Sequence, residues 1–149
     1  MAIDKKLITK KLNQLEEIII RIENMDFGGE SLEKEIDLQD LLTFRLVQGV
    51  ELAIDTATHL ISGLKLDTPE TSKSSFNVLA QNKIISQKLA NRLSNAVGFR
   101  NIAIHRYTSL DFSQLFKDYK EDLKDLKDFA AQVWKFILRA GKPRSLLRG

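Results

Sequence analysis

Apolar residues recur at alternating spacings of three and four along almost the whole chain. The longest run is Phe116, Tyr119, Leu123, Leu126, Ala130, Val133 and Ile137. A stripe of that period sits on one face of a helix and cannot serve a strand, whose side chains alternate with period two. Ile8, Leu12, Leu15, Ile19 and Ile22 repeat the pattern near the start. Leu46, Val50, Ala53, Ile54, Ala57, Ile61 and Leu64 repeat it in the middle. With only two prolines among 149 residues, little interrupts these helices. Each has one apolar face to bury, so the fold expected is an all-α, antiparallel bundle of four or five helices.

The punctuation sets the expected boundaries. The first helix runs from about Asp4 to Asn24 and is broken by Met25-Asp26-Phe27-Gly28-Gly29, before an acidic connector. The second runs from about Asp37 to Leu64. Lys65 to Ser75, with Pro69 and several Ser and Thr, reads as a loop, and a short third helix covers Phe76 to Ile85. Ser86 is the expected N-cap of a fourth helix that ends near His105. Thr108 to Asp111 reads as a turn, and the fifth helix runs to Ala140, with Gly141 and Pro143 as stop signals. The length fits one domain, residues 1–149.

Composition excludes several chemistries. There is no cysteine, hence no disulfide framework, thiolate metal site or cysteine nucleophile. The first residues lack the apolar core of a signal peptide, and no apolar run approaches the ~18 residues of a membrane span. A cytoplasmic protein is expected. The formal charge of +3 is unevenly spread. Residues 1–70 carry a net −6, whereas residues 71–110 carry six Lys and Arg and no acid. The last 39 residues add a net +3, including a basic tail with Lys142, Arg144 and Arg148. Such asymmetry fits a polyanionic partner, and the tail fits RNA phosphates, an acidic partner or a plain chain end.

The acid-free part contains the stretch with most chemistry: Arg100-Asn101-Ile102-Ala103-Ile104-His105-Arg106-Tyr107. The apolar stripe of the fourth helix is Leu89, Leu93, Ala96, Val97 and Ile104, and Arg100 lies on its axis with Tyr107 almost directly above. A core position there would hold Leu or Met, because an unpaired buried guanidinium is costly. Arg100 must therefore pair with an acid from another helix or face a cleft or subunit interface. Glu51 and Asp55, on the polar face of the second helix, are the candidate acids. Asn101 and His105 share a face, but His105 lies ~140° from Arg100 on an ideal helix. A two-fold dimer would bring Arg100 and His105 of two chains to one groove. The structural alternative has Arg100 in an ion pair, His105 at a helix C-terminus and Tyr107 in the core.

Gln48, Glu51, Asp55 and His59 fall within about 80° of arc on the second helix. No Glu-x-x-His accompanies them, so no metal site and no cofactor is expected. Gly-rich phosphate loops and Ser/His/Asp arrangements are also missing, and Trp134 reads as a packing residue.

The stretch Arg100 to Tyr107 resembles the R-x4-H-x-Y signature of HepT-type toxins in the HEPN superfamily. The stretch from Arg45 to His59 is similar to the second helix of that family, and Val97 to Asn101 to its approach to the motif. The resemblance implies a HEPN domain that forms a two-fold dimer with the motif at the interface. It implies the toxin of a type VII toxin–antitoxin system, a metal-independent endoribonuclease cleaving tRNA or mRNA. It also implies a partner, an MntA-type nucleotidyltransferase antitoxin, that AMPylates the motif tyrosine, Tyr107. On this reading His105 moves protons, Arg100 stabilises the phosphate, and Asn101 holds the phosphate or orients the imidazole. Glu51 and Asp55 support them. The alternative function is a non-catalytic HEPN dimer that binds RNA or restrains the nucleotidyltransferase.

Overall fold

A computed structural model of the chain describes residues 3–27 and 34–140. These form α1 (Lys5–Glu23), α2 (Ile36–Gly63), α3 (Ser72–Gln81), α4 (Gln87–His105), a 3-10 turn (Tyr107–Ser109) and α5 (Phe112–Ala140). No strand occurs among the described residues. The expected Gly28-Gly29 break, the stop at Gly141 and Pro143, and the basic tail lie outside them.

The helix starts are chemically specified. Asp4 accepts from the Leu7 amide at 3.0 Å, Ser86 from Leu89 at 3.1 Å, and Asp111 from Gln114 at 3.1 Å. Each satisfies an amide that the helix itself leaves free. The expected loop from Lys65 to Ser75 is too long, however. Thr71 and Ser74 form a reciprocal capping box that starts α3 at Ser72, four residues earlier than expected. The usual box has Glu or Gln in the position that Ser74 fills here, so the signal is easily missed.

The end of α3 also differs. It stops at Gln81, where the expectation extended it to Ile85. Lys83 adopts φ 60°, and the Ile84 amide bonds back to the Leu79 carbonyl at 2.9 Å. The same closure ends α2, with Lys65 at φ 54° and Leu66 bonded to Ile61 at 2.9 Å. Glycine normally fills this left-handed position. Here lysine fills it, so neither stop carries its usual sequence mark.

Helix α2 touches α1, α3, α4 and α5. Its buried Leu42, Leu46, Val50, Ala53, Ala57 and Leu60 meet the stripe of α1 and that of α5. Gly49 lets the helices approach closely: a Cβ there would lie 2.9 Å from Leu126 Cδ1. Phe76 of α3 packs edge-on against Phe129 of α5, with ring centroids 5.7 Å apart. Trp134 is half-buried and also donates to Glu16 Oε1 at 2.9 Å, tying α5 to α1. No helix among the described residues is long and apolar enough to cross a membrane.

Candidate active site

Three turns of α4, from Leu89 to Val97, bury their apolar stripe as expected. The stripe then leaves the core. Ile104, expected to continue it, is 51% exposed, and Ala103 is the buried residue of that turn. Arg106 caps the helix with φ −143° and ψ 53°, and the chain enters the 3-10 turn. Tyr107 therefore does not stand above Arg100, because the helix on which that register was counted has already ended.

Arg100 is held on three sides. Its Nε lies 2.7 Å from Glu51 Oε1. The Nε–H is buried and not aligned on that oxygen, so this contact is a charge pair rather than a directed hydrogen bond. Nη1 donates to Asn101 Oδ1 at 2.8 Å, and Nη2 to Ser72 Oγ at 3.3 Å. Only 16% of the Arg100 side chain is exposed. A guanidinium so placed keeps a fixed fork. The second acid, Asp55, is not at Arg100: it pairs with Lys11 of α1 at 3.3 Å.

His105 and Asn101 are exposed. Among the described residues no hydrogen bond or ion pair engages the His105 ring, which leaves both nitrogens open to a ligand. Asn101 is turned toward Arg100 rather than toward the imidazole.

Tyr107 is 37% exposed and so is not a core residue. Its hydroxyl donates to Asp40 Oδ1, and its ring meets Phe112 at 5.8 Å, edge-on. Burial of the ring, and then the bond to and charge of Asp40, push the phenol pKa up to about 12. The Thr43 hydroxyl acts in the opposite sense. Asp40 and Ser72 are the residues of this region that sequence reasoning missed. Asp40 lies 67 positions from Tyr107, and nothing local marks either residue.

Charge in space differs from charge along the chain. Of the six cations in the acid-free stretch, Arg100 is paired with Glu51, and Arg92 with Asp125 at 2.7 Å and Asp128 at 3.5 Å. Lys73, Lys83, Lys88 and Arg106 have no ion pair among the described residues. No group of three metal-ligating side chains among the described residues could hold an ion, and the Glu51–Asp55–His59 face is no exception.

The model of the family described as Ribonuclease HepT-like matches residues 8–133. The chain belongs to this family. A HepT-like relative, the mRNA nuclease HepT of Shewanella oneidensis, is 32% identical over 123 residues, covering 83% of this chain and 92% of that protein. The tRNA nuclease HepT of Aphanizomenon flos-aquae is 29% identical over 101 residues, covering 67% and 69%. Among solved structures, the tri-AMPylated HEPN toxin of Shewanella oneidensis in complex with MNT antitoxin superposes with a TM-score of 0.80 at 31% identity. That match covers 86% of this chain and 96% of the toxin. The all-helical bundle read from the apolar periodicity, and the HEPN fold implied by the resemblance, are thus the fold of this HepT-like chain.

Proposed function

We propose that this HepT-like chain is the toxin of a toxin–antitoxin pair: a single domain over residues 1–149 that acts in the cytoplasm as a metal-independent endoribonuclease. The observation that carries the reading is the contrast at the end of α4. Arg100 is locked by Glu51, Asn101 and Ser72, while His105 stands exposed and unengaged. One group is organised to hold a charge and the other is free to move a proton.

Cleavage of RNA without a metal begins with removal of the 2′-OH proton. The 2′-oxygen then attacks phosphorus, and the 5′-oxygen leaves with a proton, giving a 2′,3′-cyclic phosphate. His105 carries the imidazole that can act as base or acid. Arg100 would stabilise the charge on the phosphorane. Asn101 orients Arg100 through its carbonyl oxygen, and its amide protons remain available for a phosphate oxygen.

Two proton transfers call for two carriers. The second would be His105 of a second copy across a two-fold axis. Exposed Ile36, Leu41 and Phe44 of α2, with Ile104 beside the motif, offer the apolar surface that such a dimer would bury. An MntA-type nucleotidyltransferase would silence the enzyme by attaching AMP to Tyr107. The added phosphodiester brings bulk and negative charge next to His105 and would compete with RNA.

The test uses chain confirmed as unmodified by intact mass, incubated with tRNA and with mRNA in EDTA, beside His105→Ala. Cleavage by the wild type alone, with cyclic phosphate ends, is expected. Binding of RNA without cleavage by either protein would overturn the enzyme and leave a non-catalytic HEPN dimer.

A further inference from the structure

The Tyr107 hydroxyl is not free in this structure, and what holds it is a base. Asp40 Oδ1 accepts the phenolic proton in a hydrogen bond. Asp40 lies one turn inside the N-terminal end of α2, is exposed, and has no other partner among the described residues. Tyr107 as a residue remains 37% exposed. A carboxylate hydrogen-bonded to the hydroxyl is placed to take its proton, which is what a phenol needs to become a nucleophile. Packing does not require it: the Tyr107 ring already has Phe112.

We propose that Asp40 is the proton acceptor for Tyr107 when that hydroxyl is adenylylated, so that this chain supplies the base for its own modification. The inference rests on the modification of Tyr107 proposed above. Tyr107 Oη attacks the α-phosphorus of ATP held by the partner transferase. The new bond is Oη–P, the α,β-anhydride bond breaks, and pyrophosphate leaves. The phenolic proton passes to Asp40. An aspartate plays the same part toward substrate hydroxyls in phosphoryl transfer by kinases. The product has no proton to donate and carries a phosphodiester anion, so it cannot return to Asp40. The modified side chain is expelled from the carboxylate toward the cationic end of α4, where His105 and Arg106 are exposed.

The test compares full-length wild type, Asp40→Asn and Asp40→Glu in single-turnover adenylylation, with the cognate nucleotidyltransferase titrated to saturation and ATP with magnesium supplied. Intact mass follows the product. The asparagine amide oxygen still accepts the hydroxyl hydrogen bond but cannot take the proton. Expected is a loss of about 10²- to 10³-fold in the saturating rate for Asp40→Asn, partly restored by Asp40→Glu. A loss confined to half-saturation would make Asp40 a docking residue and overturn the proposal. So would modification of Asp40→Asn at the wild-type rate or faster, while leaving the Tyr107 reading intact. Failure of wild-type Tyr107 to gain AMP would overturn both.

Discussion

Glu51 of α2 and Arg100 of α4 meet at 2.7 Å, so one carboxylate fixes the guanidinium at the start of the R-x4-H-x-Y motif. The pair explains how an arginine occupies the axis of an apolar stripe. It is also where fold stability and the proposed chemistry share a residue. Glu51→Gln keeps the shape and removes the charge. The expected outcome is a stability loss of about 1 kcal/mol in a thermal melt, since the arginine is left half-buried without its counter-charge. Single-turnover RNA cleavage is expected to fall roughly 10-fold through looser positioning.

Arg100→Lys tests the fork separately from the charge. Lysine can reach Glu51 but cannot also donate to Asn101 and Ser72 with a planar group. Cleavage should drop about 10²-fold with RNA affinity changed far less. Equal activity of the lysine variant would show that only a point charge is needed.

Tyr107 offers a spectroscopic check on the Asp40 contact. Its phenol is pushed up to about 12, above the ordinary 10. The sign follows from the neutral form being favoured in the fold. The associated stabilisation is present below about pH 10 and is lost as pH rises through about 12. Asp40→Ala should move one tyrosinate transition down toward the ordinary value, and Tyr107→Phe should remove that transition altogether. An unchanged titration in Asp40→Ala would mean that the contact does not form in solution.

Asp122 of α5 is pushed up to about 7, by burial first and then by the carboxylates of Asp125, Asp118 and Glu121. A raised carboxyl pKa favours the neutral form in the fold. Its contribution is present below about pH 4 and disappears as pH rises through about 7. Asp122→Asn should therefore be more stable than wild type at about pH 8, by on the order of 1–2 kcal/mol after allowance for solvent screening. The two proteins should converge near pH 4. Denaturant unfolding at both pH values measures the difference.

Arg92 joins α4 to α5 through Asp125, whose side chain is only 10% exposed. Desolvation raises the Asp125 pKa even with the arginine beside it. Arg92→Met leaves that carboxylate buried and unpaired, at an expected cost of about 2–4 kcal/mol. The double variant with Asp125→Leu should recover most of this, because the apolar pair carries no charge to desolvate. A double variant as unstable as the single one would refute that account.

Apolar periodicity identified α1, α2, α4 and α5, the flanking loop and cap signals placed the short α3, and Ser86 marked the start of α4. Boundaries failed where an uncommon residue fills a familiar structural role. Ser74 does so in the capping box and Lys83 in a left-handed turn, whereas the end of α2 at Leu64, closed by Lys65 in the same way, was placed correctly. At the site, Arg100 was conspicuous because its charge contradicts its place in the stripe. Glu51 and Asp55 were indistinguishable in sequence, since both lie on one polar face of α2. Lys11 of α1 separates them by taking Asp55.

Local sequence by itself determined the helices, the apolar faces and the placement of Arg100, Asn101 and His105 on the last turns of α4, because these depend on neighbours within a turn or two. Only the tertiary structure decided which acid meets Arg100, and that Tyr107 turns away to Asp40. Those contacts join different helices and depend on how each rotates and where it ends. Asp40 and Glu51 lie 11 residues apart on α2, about 16 Å along its axis. The break at Arg106, a choice of backbone angles at one residue, therefore separates two side chains that helical periodicity had placed together.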